Sequence, residues 1–166
     1  LQGKAELNDQ AVHLLFSANR WEAVKGMLDD LQAGTTIVVD RYSFSGAVYS
    51  AAKENPSLPL EWAWNPEIGL PEPDLVLFLD ISSEDAAKRG GYGEERYEKE
   101  EMQTKVRTLF KHIFAKLSHL NVHTVNAGQP LQSVADELWQ IYTKLEKSSP
   151  VYSSPPSLPA LETSSS

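Results

Sequence analysis

Three short apolar runs constrain the fold of this chain more than any other feature. They are TTIVVD (35–40), DLVLFLD (74–80) and VHTV (122–125). Runs this short, with no strict polar alternation, suit strands covered on both faces. Helical stretches lie around them. Val12, Leu15, Phe16, Val24, Leu28 and Leu31 recur near helical spacing within 9–33, and Gly34 supplies a stop. Ser43 to Glu54 reads as a second helix, about Glu95 to Leu120 as a long one, and Leu131 to Lys147 as the last. Ser82 and Asp85 have capping-box spacing and open a short helix that Gly90, Gly91 and Gly93 break. Strands alternating with helices predict an α/β fold, with three layers (α/β/α) around a parallel sheet.

A proline-rich connection carrying Pro56, Pro59, Pro66, Pro71 and Pro73 separates the second helix from DLVLFLD, and its Trp62 and Trp64 are expected to cover the sheet. From Ser148 onward the chain is mostly Ser and Pro with little to bury, so 148–166 reads as a disordered tail following one domain at 1–147. No solenoid period is visible. The chain has 166 residues, enough for one core. Its formal charge of −8 argues against broad nucleic-acid binding, yet a few arginines can still hold a phosphate monoester. Cysteine is absent, which excludes disulfides and thiolate metal sites and fits a reducing compartment. No apolar stretch is long enough to span a bilayer, and no basic-then-apolar signal opens the chain. A cytoplasmic product is expected, with a nuclear pool admitted. The start at Leu1 reads as processing, truncation or a partial gene product.

Four segments carry possible chemistry. Phe16 and Arg20 stand four apart on the first helix and share a face. A flat ring beside a guanidinium suits a nucleobase, although a core Phe with a surface Arg has the same spacing. His13, one turn earlier, reads as a packed or capping histidine. Asp40-Arg41-Tyr42 follows directly on a strand-like run, where parallel sheets bind ligands. There an acid can hold Mg2+ through water and an arginine can hold phosphate; a solvated ion pair is the alternative. Ser45, Gly46 and Tyr49 follow on the next helix, and Gly46 would admit a ligand close to the backbone. Lys88 and Arg89 lead into Gly90-Gly91-Tyr92-Gly93, with Arg96 and Tyr97 beyond: either a closing phosphate cover or a flexible surface turn. Asp80 reads as a turn cap or a catalytic acid. No G-x-x-x-x-G-K-[ST] phosphate loop is present.

Taken in order, HLLFSANRWE (13–22), DRYSFSGAVYSAAKE (40–54), GLPEPDLVLFLD (69–80) and AAKRGGYGEERYE (86–98) closely resemble thymidylate kinase, the eukaryotic form most of all. The likeness runs from about Val12 to the last helix. It implies a P-loop nucleoside-monophosphate-kinase-like fold, and transfer of the γ-phosphoryl group of ATP to dTMP with Mg2+. By position, it implies that Phe16 stacks on thymine and that Arg20 bonds the base's carbonyl edge. Arg41 would grip the dTMP phosphate, and Asp40 would sit near the metal. Ser45 and Gly46 would line the pocket, Tyr49 would exclude a ribose hydroxyl, and Tyr97 would close over base and sugar. Lys88 to Arg96 would form the lid, with Arg89 nearest ATP, and Asn126-Ala127-Gly128-Gln129 the adenine-side loop. Arg41, Asp40, Arg89 and Arg96 are the catalytic candidates. The resemblance also implies a homodimer packed through helices including 9–33, with no nucleic-acid or membrane partner.

Family members begin with a strand, the phosphate loop, a helix and a second strand. By that pattern 35–40 and 74–80 carry inner edges built to be paired. Unpaired buried backbone groups cost about 1–3 kcal/mol each, so this chain alone is expected to fold poorly, aggregate, or be completed by a partner segment. Two other readings stay open: another deoxynucleotide or deoxynucleoside kinase, and a non-catalytic nucleotide-binding or dimerising product.

Overall fold

The structure, a computed structural model, describes residues 7–88, 96–146 and 156–161. They fall into two compact units, one from Leu1–Glu72 with Tyr152–Ser166 and one from Pro73–Val151.

The first unit opens with α1 (Asp9–Gln32), whose N-terminus is capped where Asn8 Oδ1 accepts from the Ala11 N–H at 2.8 Å. Its far end closes through Gly34 at φ +82°, with Thr35 N–H donating to the Asp30 carbonyl at 3.0 Å. The helix matches its predicted span, and of its periodic apolar residues Val12, Val24, Leu28 and Leu31 are half-buried while Leu15 and Phe16 are not. The buried residues are His13 and Ser17, whereas Leu14, Leu15, Phe16 and Trp21 are exposed. Polar partners on neighbouring segments select the buried stripe, overriding hydrophobicity.

TTIVVD at 35–40 joins no ladder, so the strand predicted there is corrected to an unpaired extended segment. Its β-branched residues favour extended backbone, but a strand also needs a hydrogen-bonding neighbour, and the described residues supply none. Val38 is accordingly 91% exposed.

Helix α2 (Ser43–Ala51) buries Phe44, Ala47 and Val48 on one side. The proline-rich connection holds a helix that periodicity does not predict, α3 (Leu60–Trp64), and a 3-10 turn at Asn65–Glu67 with Pro66 at its start. Trp64 is fully buried and stacks on Phe44, ring centroids 5.6 Å apart, while Trp62 lies against His13. Both tryptophans therefore pack among helices of this unit, which corrects the expectation that they cover the sheet.

Part of the expected disordered tail is ordered. Residues 156–161 form a strap along 69–72, bridged at Pro71 and Ser157. Leu158 N–H donates to Leu70 O at 2.8 Å, Gly69 N–H to Leu158 O at 2.9 Å, and Trp64 Nε1–H to Pro159 O at 2.8 Å. Leu158 is 1% exposed. One leucine beside prolines, which restrict the extended chain, gives the strap both an anchor and low entropy to lose.

The second unit contains β1 (Val76–Asp80) and β2 (Val122–Asn126). They are parallel as predicted, in register from Val76 with Val122 to Asp80 with Asn126. Helices α4 (Ser83–Lys88) and α5 (Arg96–Lys116) lie between them in the chain, and α6 (Leu131–Glu146) follows. Ser82 caps α4, its Oγ accepting from the Asp85 N–H at 3.0 Å. The rings of Phe78, Phe110 and Phe114 meet with centroids 4.8–5.7 Å apart, and Ile113, Leu117 and Val125 are buried in the same unit.

Candidate functional site

Among the sequence-predicted residues of the first unit, Arg20 meets α2 at Gly46 and Arg41 meets it at Tyr49. Arg20 points toward α2 and is held there by Glu67. Its Nε donates to Glu67 Oε2 at 2.6 Å, and its Nη2 donates to Oε1. Glu67 has no exposed surface. The Arg20 guanidinium lies flat against α2 at Gly46, where a Cβ would stand 2.8 Å from Nη2 and 3.2 Å from Cζ. Gly46 thus makes room for the Arg20 guanidinium. Phe16, one turn before Arg20, is 55% exposed, so it is a presented ring and not a core residue.

Arg41 follows the extended segment with φ +64°, a left-handed conformation that a non-glycine residue adopts at a cost of about 1–3 kcal/mol. That turn sets its guanidinium over the Tyr49 ring, 5.0 Å from the centroid. Tyr49 lies three residues beyond Gly46 on α2, so Arg20 and Arg41 contact successive turns of one helix face. Among the described residues Arg41 has no carboxylate partner, and Asp40 beside it is exposed without a cation partner. Ser45 is half-buried in the first turn of α2.

Beneath these groups the interior is polar. His13 Nδ1 shares a hydrogen bond with Ser50 Oγ at 2.8 Å, and its Nε2 stands 3.9 Å from Glu67 Oε1 without a hydrogen-bond partner among the described residues. Burial pushes the His13 imidazole below its ordinary range, against the opposing pull of the Glu67 charge. Tyr42 donates to Pro71 O at 3.1 Å. Its phenol is pushed up to about 12, first by burial and then by Glu67. His13 is therefore a packed histidine and caps no helix. Glu67 is the residue that pattern reasoning misses. It sits in an aperiodic segment between Pro66 and Ile68, and only its pairing with Arg20, 47 positions away, reveals it.

In the second unit, Asn126 Oδ1 accepts from the Gly128 N–H at 2.9 Å, forming a tight turn directly after β2. A Cβ at Gly128 would meet Asn126 Oδ1 at 3.0 Å and Asp85 Oδ2 at 3.2 Å. Asp80 pairs with Arg107 Nε at 2.8 Å, an ion pair in place of the expected turn cap. Of the lid candidates, Lys88 lies in α4 and Arg96 and Tyr97 in α5, while their side chains and the whole of Arg89 lie outside the described residues. Among the described residues no group of three or more His, Asp or Glu is placed to cage a metal ion. No helix among them is long and apolar enough to cross a membrane.

Comparison with known proteins gives the fold first. Thymidylate kinase from Candida albicans superimposes with a TM-score of 0.75 at 34% identity, covering 93% of this chain and 75% of that one. The fold is thus that of the P-loop nucleoside monophosphate kinases, α/β with a parallel sheet. A sequence profile of thymidylate kinase matches residues 1–138. The thymidylate kinase of Dictyostelium discoideum is 46% identical over 142 residues, 86% of this chain and 61% of that protein. The human thymidylate kinase is 47% identical over 138 residues, 83% of this chain and 64% of that protein. This chain belongs to the thymidylate kinase family. It spans less than two thirds of the length of either relative.

Proposed function

We propose that this chain provides the acceptor side of a dTMP kinase, which transfers the γ-phosphoryl group of ATP to dTMP to give dTDP and ADP. One observation carries the reading: two guanidiniums stand along one face of α2, one neutralised and one not. Arg20 is charge-balanced by Glu67, which suits the neutral carbonyl of a base. Arg41 keeps its full charge among the described residues, which suits a phosphate. Phe16 offers an exposed ring one turn from Arg20 for stacking. Ser45 lines the same helix, and Tyr49 fills the space where a ribose 2′-hydroxyl would sit.

In the transfer, a phosphate oxygen of dTMP attacks the γ-phosphorus of ATP in line, and the bond to the β–γ bridging oxygen breaks. No covalent enzyme intermediate forms, and this chain contributes by positioning and charge neutralisation. Asp40, an exposed carboxylate, would hold Mg2+ through water. Such an ion supplies further neutralisation of the phosphates. The family likeness assigns Lys88, Arg89, Arg96 and Tyr97 to the lid and Asn126 and Gly128 to the adenine-side loop. The exposed Leu14 and Leu15 of α1 support a homodimer through that helix. A cytoplasmic or nuclear location fits a dTMP-consuming reaction.

The test is dTMP binding by calorimetry, in competition with dUMP, dCMP and thymidine, beside ADP release with ATP present. Arg41→Ala is expected to weaken dTMP binding about 100-fold and Phe16→Ala about tenfold, the charge-assisted contact exceeding the stack. Unchanged binding in Arg41→Ala refutes the phosphate role. A preference for thymidine over dTMP points to a nucleoside kinase instead.

A further inference from the structure

We infer that Glu67 is a positioning residue for base selection. It occupies one edge of the Arg20 guanidinium, so that the side chain meets a nucleobase only with its remaining Nη N–H donors. The inference rests on the functional reading above and deepens it. Both Glu67 oxygens are engaged by Arg20, from Nε at 2.6 Å and from Nη2. A carboxylate with no exposed surface is held in place strongly, because leaving it unpaired in the interior is costly. Gly46 blocks one face of the same guanidinium. With one edge and one face taken, the group cannot swing to suit a different partner, and its side chain keeps 15% exposure through which a ligand reaches it.

The segment that carries Glu67 is clamped on both sides. On one side, Pro66 O accepts from Ser17 Oγ at 3.1 Å and from Trp21 Nε1 at 2.7 Å. On the other, Gly69 N–H donates to Leu158 O at 2.9 Å. Backbone position therefore aims the carboxylate, and the carboxylate aims Arg20. The donors left on Arg20 accept no proton, so they pair with a ring carbonyl and reject a ring amino group. Thymine and uracil offer a carbonyl where cytosine carries an amine. The rigidity imposed by Glu67 turns that chemical difference into selectivity.

The test compares dTMP and dCMP affinity in the unaltered chain, Glu67→Gln and Gly46→Ala. Glu67→Gln keeps the size but faces one Arg20 donor with an amide N–H. Gly46→Ala shifts the guanidinium from the opposite side and spares the fold, because Ala is the better helix former. Each is expected to lower the dTMP-to-dCMP affinity ratio about tenfold. A ligand-free readout accompanies them: the Arg20 Nε–H signal in 15N NMR, slow to exchange in the unaltered chain and fast in Glu67→Gln. If the unaltered chain shows no protected Nε–H, the inference is overturned. If dTMP binds but its preference over dCMP is unmoved in both variants, the inference alone fails and the functional reading stands. If the Nε–H is protected and no nucleotide binds, the functional reading fails and the inference falls with it.

Discussion

In the unit from Pro73 to Val151, the interior is aromatic and aliphatic, built on Phe110, Ile113, Leu117 and Val125. In the unit that holds α1 and α2, four polar residues are buried alongside the apolar ones: His13, Ser17, Ser43 and Glu67. Among the described residues every buried polar side chain lies in this second kind of interior. Buried charge is a weak route to stability, because desolvation offsets most of the attraction. One interior is held by apolar packing, and in the other the buried Glu67 carboxylate fixes the Arg20 guanidinium.

Three substitutions and conditions separate these two designs. The largest effect is expected for Phe110→Ala, which opens the aromatic cluster and costs about 3–5 kcal/mol in denaturant unfolding. The surviving folded fraction should bind dTMP as before, whereas a binding loss beyond the unfolded fraction would erase the contrast between the units. Leu158→Ala comes next, at about 2–4 kcal/mol, because it removes the anchor of the strap. Unlike Phe110→Ala, it should also weaken dTMP binding, since the strap braces the segment bearing Glu67. Unaltered stability in Leu158→Ala would show the strap to be incidental.

Acid should have the smallest effect. His13 is held below its ordinary value of 6.5, so the unfolded chain takes up a proton at a pH where the folded chain does not. Stability from this group is complete above the unfolded value and falls as pH drops below it. Moving from pH 7.5 to 5.5 should lower Tm through this residue. His13→Gln should flatten that part of the slope, and an identical slope in the variant would remove the histidine from the account.

Much of this was legible in the residues. The long helices, the two paired strands and the parallel sheet follow from periodicity, capping and chain order. What escaped has a common physical cause, which is dependence on a distant partner. At 35–40 the β-branched residues specify extended backbone, but pairing depends on a neighbour that local sequence does not name. On α1, hydrophobicity points to Leu15 and Phe16 as buried, yet Ser50, Pro66 and Glu67 draw His13 and Ser17 inward. Ser and Pro content at the end of the chain signals solvation, while a single leucine suffices to dock it. At the candidate site, residue type and spacing alone leave Phe16, Arg20 and Arg41 open to a core ring, a surface arginine and a solvated ion pair, and only the ordered likeness to the family singles them out. Glu67 was not visible, because nothing near it in the chain foretells an arginine 47 positions back.

The strap along 69–72 makes one unit of the molecule discontinuous in the chain. During synthesis, the segment from Pro73 to Val151 emerges whole and can settle early, whereas its companion must wait for Leu158 to leave the ribosome. The segment that carries Glu67, and with it the carboxylate that holds Arg20, is thereby braced only after Leu158 has emerged.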